Sequence, residues 1–268
     1  LTVSTRILLV TVLVAAALAG ALFWWWRTPV PAPRPEPGPE RPVELPAPCR
    51  ELAFEAANYI VCEIDTALHD VVLRRADAGG KAYGSLAALA KTEPFMLAMN
   101  AGMYHEDRSP VGLHIEDGVV RSPLNLDDAP GNFFMKPNGV FYVGTDGSAG
   151  VMETSAFAAA GIEPVLATQS GPMLVIDGKM HPRFEENGAS RYIRNAVGAD
   201  GGSRVVLAIS RLPVSLGSFS RLFSNELGIR NALFFDGAIS ALHNGNKYLV
   251  GGAHPVGPIL AVRERPNR

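Results

Sequence analysis

Leu233-Phe234-Phe235-Asp236-Gly237-Ala238-Ile239-Ser240 runs three large apolar residues straight into an acid and a glycine. Such a run reads as a buried strand ending in a sharp turn, which would hold the Asp236 carboxylate at the rim of the core. A surface loop has no use for the apolar run, and a plain core strand does not normally end on an unpaired acid. Asp-Gly is also an ordinary turn pair, with aspartate a good turn residue. Two further stretches of the same form are what set Asp236 apart. Phe95–Met99 is an apolar strand that delivers Asn100 into Ala101-Gly102-Met103-Tyr104, followed by His105-Glu106-Asp107-Arg108. Ala167–Gly178 sets Gln169 and Ser170 ahead of a Gly-Pro turn, and its strand Met173–Ile176 ends in Asp177-Gly178.

Outward from these stretches the chain is a succession of short strands in hairpins. Tyr59–Ile64, Val71–Leu73, Val111–Ile115, Val119–Val120, Phe133–Met135, Val140–Val143, Ala196–Gly198, Arg204–Ser210, Tyr248–Val250 and Pro258–Val262 all read as strands. Asp117-Gly118 is a two-residue hairpin turn. Tyr83–Lys91, Ser155–Ala160 and Val214–Leu227 read as helices, the last with Phe219, Leu222, Phe223 and Leu227 on one face. No alternating strand–helix repeat or phosphate loop is present. The expected class is α+β: antiparallel or mixed sheets with a few packed helices, in a single domain behind an N-terminal anchor.

Ile7–Trp26 contains no charge and is followed by Arg27. A helix of that length just spans a hydrocarbon core, with Trp24, Trp25 and Trp26 as an aromatic belt. A cleaved secretory signal, cut after Ala17-Leu18-Ala19, is the rival reading. Nine of the twenty-one residues from Thr28 to Pro48 are proline, which makes 28–48 an extended spacer. The division is therefore 1–27 anchor or signal, 28–48 linker, and 49–268 functional body, large enough for a proper core. The formal net charge of −2 gives no basic surface for nucleic acid. The only cysteines, Cys49 and Cys62, fall far short of a zinc signature; in an exported body they are candidates for a structural disulfide.

Several polar residues are candidates for a site. Gln169 and Ser170 could orient a sugar hydroxyl or a phosphate oxygen. Ser170 lacks the Gly-x-Ser-x-Gly context of a hydrolase elbow, so no serine triad is indicated. Arg191 and Arg194, three apart, present forks suited to phosphate or carboxylate, or are two surface residues of one helical face. His254, between Gly252, Ala253 and Pro255, reads as structural rather than catalytic.

Met99–Tyr104, Lys136-Pro137-Asn138-Gly139-Val140-Phe141, Ala167–Gly178, Ser190–Gly198 and Leu233–Ser240 together resemble the phosphodiester glycosidase family. The likeness runs from about Cys62 to Ile239 and is closest to a bacterial membrane-anchored branch. The family includes an enzyme that uncovers mannose 6-phosphate by removing N-acetylglucosamine from a phosphodiester. Its Asn-Gly-Gly corresponds to Asn100-Ala101-Gly102 here, and its Asp-x-Gly-Gly-x-Ser to Asp236-Gly237-Ala238-Ile239-Ser240, so one glycine is lost from each. The resemblance implies hydrolysis of a sugar C1–O bond with release of a phosphomonoester. Asp236 would be the carboxylate at the anomeric carbon, and Glu106 and Asp177 are candidates for a second acid. Arg191 and Arg194 would hold the phosphate, while Asn100, Gln169, Ser170 and Ser240 align hydroxyls. No cofactor is required; a divalent metal bridging Asp236 and the phosphate is compatible, though no ligand cluster demands one. The expected partner is a sugar phosphodiester or envelope glycan, met by a body in the periplasm held to the inner membrane through 7–26, or secreted if the signal is cleaved. The alternative is a non-catalytic envelope protein that binds glycan or peptidoglycan through the same pocket.

Overall fold

Tyr59–Ile64 is apolar at nearly every position, and the computed structural model, which describes residues 45–265, shows why. In β2 (Ala57–Asp65), Ile60, Cys62 and Ile64 face a central core, while Tyr59 and Val61 pack on the opposite side with Phe219 and Phe223. A strand covered on both faces needs apolar side chains at odd and even positions alike. β14 (Ala232–Asp236) is built the same way, with Leu233 and Phe235 in the central core and Ala232 and Phe234 in the second cluster.

Seventeen strands, numbered along the chain, form three sheets among the described residues. The first is ordered β1 (Cys49–Phe54), β2, β13 (Arg204–Ser210), β12 (Asn195–Ala199), β14, β10 (Met173–Ile176) and β11 (Lys179–Met180). The second is ordered β16 (Tyr248–Val250), β15 (Leu242–His243), β4 (Leu97–Asn100), β17 (Ile259–Glu264) and β3 (His69–Arg74). The third is ordered β6 (Val119–Ser122), β5 (His114–Glu116), β9 (Pro164–Ser170), β7 (Gly139–Gly144) and β8 (Ala149–Glu153). All three contribute to one core: Ile60 and Leu207 from the first, Leu97 and Leu260 from the second, Phe141 and Leu166 from the third. On β1, Cys49 stands directly opposite Cys62 of β2, and the two are joined by a disulfide with S–S 2.06 Å.

The α+β expectation is corrected by this arrangement: the body is predominantly β, and every strand pairing is antiparallel. The helices are too short to make a layer. α1 (Leu86–Ala90) starts only at its cap Ser85, whose side chain accepts from Ala88 N. α2 (Thr154–Ala160) is closed by Gly161 at φ 62°. α3 (Leu216–Arg221) gives way at Leu222 to a π-helical turn over Leu222–Glu226. The apolar face of Phe219, Leu222 and Phe223 therefore serves as a patch covering the first sheet. Phe133–Met135, expected as a strand, is a turn, and Val140–Val143 pairs instead across Asp146-Gly147 with β8.

The anchor or signal expected over 1–27, and the linker apart from 45–48, lie outside the described residues. Among those described, no helix is long and apolar enough to cross a membrane.

Candidate active site

Three strand termini meet at one pole of the core: β4 ends on Asn100, β12 begins at Asn195, and β14 ends on Asp236. Phe234 pairs with Ala196 but Asp236 pairs with Asn195, so Phe235 is the extra residue of a bulge. A bulge beside a site re-aims the side chains that follow it. Asn195 Nδ2 donates to Asn100 O at 2.7 Å and approaches Asn100 Oδ1 at 3.1 Å. Ala241 N donates to the same Oδ1 at 2.8 Å. Ser240 Oγ lies 3.1 Å from Asn195 Oδ1 and 3.0 Å from Asp236 O, donating to one at a time. These buried contacts pin both ends of the turn 236–241.

Asp236 is half-buried at the edge of a cleft of about 610 Å³. Its Oδ1 accepts from Ala238 N at 2.6 Å and Ile239 N at 2.9 Å. Burial pushes its carboxyl pKa up, against the opposing pull of these loop N–H groups and of Arg194. Arg194 lines the same cleft and is only 1% exposed. Its Nε donates to Val214 O at 2.8 Å and its Nη2 to Ser190 O at 2.9 Å. The guanidinium carbon lies 5.4 Å from the ring centroids of both Tyr192 and Phe234, within cation–π range. Burial pushes its pKa down to about 10, which leaves it cationic at neutral pH. Nη1 donates to no group among the described residues, and Arg194 makes no direct ion pair with Asp236. A cation with a spare donor and a carboxylate of raised basicity thus share one cleft without neutralising each other by contact.

Tyr104 completes the wall. Its hydroxyl donates to Pro255 O at 2.8 Å, and burial together with the Asp236 charge pushes its pKa up to about 12. Two glycines nearby leave room that a side chain would take: Gly102 is required by its backbone, and a Cβ at Gly237 would displace the Arg194 guanidinium. Gly102 has φ 59°, and a Cβ there would lie 2.4 Å from Thr168 Oγ1; a Cβ at Gly237 would lie 2.9 Å from Arg194 Nη1. The residues that replace the missing motif glycines are placed differently: Ala101 is buried in the core and Ala238 is exposed.

The structure brings Asp236 and Arg194 together and sorts the other candidates elsewhere. Asn100 and Ser240 hold the turn that carries Asp236. Gln169 is consumed structurally: Oε1 accepts from Leu113 N and Asn125 N, and Nε2 donates to Asn125 O. Ser170 is fully buried, its Oγ without a partner. Arg191 lies in a separate, smaller pocket. Glu106 is exposed in the 104–110 turn, Asp177 occupies the β10–β11 turn at φ 49°, and neither lines the cleft. Asn195, Tyr104 and Tyr192 were not singled out from sequence. The one available signal was an amide, Asn195, opening an apolar strand.

A larger hollow of about 870 Å³ lies among Thr66, Asp146 and Ser203, at the opposite ends of the strands. Its charges are already engaged, Arg265 with Asp70 and Asp146 with Ser148. No group of three or more His, Cys, Asp or Glu side chains that could hold a metal occurs among the described residues. A metal at Asp236 would draw on one carboxylate, a poor fit to a divalent site.

A family profile described as phosphodiester glycosidase matches residues 95–263. The chain is 38% identical to the uncharacterized protein YigE of Escherichia coli (strain K12) over 182 residues, 66% of this chain and 69% of that protein. Among solved structures it is similar to the zebrafish N-acetylglucosamine-1-phosphodiester alpha-N-acetylglucosaminidase catalytic domain auto-inhibited by its pro-peptide. There the TM-score is 0.59 at 14% identity, covering 81% of this chain and 82% of that one. A hypothetical protein from Synechocystis gives a TM-score of 0.55 at 15% identity, covering 81% of this chain and 61% of that one. The two structures speak to the fold alone.

Proposed function

We propose a function from one premise: the chain belongs to the phosphodiester glycosidase family. It hydrolyses the C1–O bond of a sugar-1-phosphodiester, releasing the free sugar and a phosphomonoester. The observation that carries this is the cleft itself, with one carboxylate, Asp236, and one spare guanidinium nitrogen, Arg194 Nη1.

The chemistry matches that inventory. Asp236 takes a proton from water as the water oxygen bonds to C1. The C1–O bond breaks and its electron pair leaves on the phosphate oxygen. Such a leaving group has a second pKa of about 6 and needs no proton donor, whereas a sugar alkoxide does. One carboxylate therefore suffices for a phosphodiester, while an ordinary glycoside calls for two. Arg194 steadies the phosphate through Nη1, and its stacked, twice-anchored guanidinium keeps that donor in place. Asn100, Asn195 and Ser240 position the turn that bears the base. In the same proposal residues 49–268 form the catalytic body, and 1–27 and 28–48 tether it to the bacterial inner membrane on the periplasmic side, where envelope glycans are the substrates.

The test is phosphomonoester release from a panel of sugar-1-phosphodiesters. The expected result is turnover that falls about 10²–10⁴-fold in Asp236→Asn, with folding intact. Equal turnover in the variant would remove Asp236 from this role. Binding across the panel with no turnover would put the non-catalytic glycan-binding reading in its place.

A further inference from the structure

Next to the Asp236 cleft lies a second pocket of about 300 Å³, which shares Tyr192 and the turn Gly237-Ala238-Ile239 with it. Those shared residues form a ridge between the two. No carboxylate lines the small pocket; its charged and titratable side chains are Arg191 and His254, with Tyr192 on the ridge. Arg191 is exposed and makes no ion pair or hydrogen bond among the described residues. The segment Gly251–His254 closes the far side, and none of its four backbone N–H groups donates a hydrogen bond among the described residues.

Two glycines bring that segment into place. Gly251 and Gly252 have φ of 68° and 98°; a Cβ would lie 2.1 Å from Ser240 O at Gly251 and 2.6 Å from the Tyr248 ring at Gly252. At Gly251 the backbone therefore approaches Ser240, at the end of the turn that carries Asp236, more closely than a residue with a side chain could. A run of unused N–H groups in a turn, beside an unpaired arginine and without an opposing acid, is a setting for an anion.

We propose that this pocket is the subsite for the alcohol portion of the substrate, and that this portion carries a second negative charge, a carboxylate or a phosphate, read by Arg191 and the 251–254 backbone. The inference rests on the hydrolytic reading for the word substrate, but its chemistry does not depend on turnover. The sugar occupies the larger cleft, the reacting phosphate sits at the ridge beside Arg194 Nη1, and the remote anion lies beyond Tyr192.

The experiment is calorimetric binding of three phosphomonoesters to the full-length chain and to Arg191→Ala: glycerol 3-phosphate, 3-phosphoglycerate and glycerol 1,3-bisphosphate. All present the product phosphate; only the last two add a second anion, one a carboxylate and the other a phosphate. The expected result is binding of at least one doubly anionic ligand about 10-fold tighter than glycerol 3-phosphate, with the difference lost in Arg191→Ala. Equal affinity for all three in the unaltered chain would overturn the proposal, as would failure of all three to bind. An equal weakening of all three by Arg191→Ala would place the reacting phosphate itself on Arg191 and overturn it too. Because no readout is turnover, inactivity on the diester panel would count against hydrolysis and leave this result standing.

Discussion

Asp236 answers to two opposed demands. The proposed reaction needs it ionised as the base, yet burial holds its pKa above the ordinary carboxylate value of about 3.9. The folded chain therefore binds this proton more tightly than the unfolded chain. The group favours folding in acid and disfavours it as pH rises through the folded pKa. Asp236→Asn keeps the Oδ1 acceptor for Ala238 N and Ile239 N while removing the charge, so thermal melts should show a higher Tm than the unaltered chain at pH 7 and the same Tm near pH 3. On the proposed reaction, kcat/KM should fall as pH drops through a pKa above about 3.9. Arg194→Lys tests the opposing group: a lysine keeps the charge but cannot bond Val214 O and Ser190 O while presenting a third donor to the cleft. Initial-rate kinetics should show kcat/KM reduced by about 10²-fold, with a lowered Tm. The acid after its apolar run and the two arginines were visible in the sequence. That Arg194 is buried between two rings while Arg191, three residues earlier, is exposed was not, because spacing does not say which side of a ridge a side chain takes.

At the level of elements, the strands were readable because two-sided burial leaves an unbroken apolar run, as in β2 and β14. Helix content was overread because the periodic face of Phe219, Leu222, Phe223 and Leu227 is genuine but only a few turns long. Its π-helical turn leaves no mark in the residue pattern. The bulge at Phe235 was equally silent, since it follows from pairing Asp236 with Asn195 across strands remote in sequence. The bonds that Asn100 and Ser240 make within the fold were silent for the same reason: an amide or hydroxyl at a strand end looks alike whether it meets a ligand or another strand. Asn195→Ala should expose this. It leaves Asn100 O and Oδ1 short of a donor, at a cost of about 1–3 kcal/mol in denaturant unfolding. By loosening the turn, it should also lower kcat by about 10-fold or more.

At the scale of the molecule, three sheets share one set of core side chains, from Ile60 through Leu97 to Phe141. None of the three can keep its inner face dry once another departs. Far-UV circular dichroism and aromatic fluorescence should therefore report coincident unfolding midpoints for the body, with a β-type far-UV spectrum and little helical signal. The second sheet also fixes an order of events. β4, which ends on Asn100, is flanked by β15 and β17, both drawn from residues 242–264, far along the chain from it. A ribosome adds roughly 5–20 residues each second, so for roughly seven to thirty seconds after Asn100 is made its strand has neither neighbour. The nascent polypeptide holds every residue that lines the cleft before it holds Ile259, so the strand bearing Asn100 waits for a partner made after all of that lining.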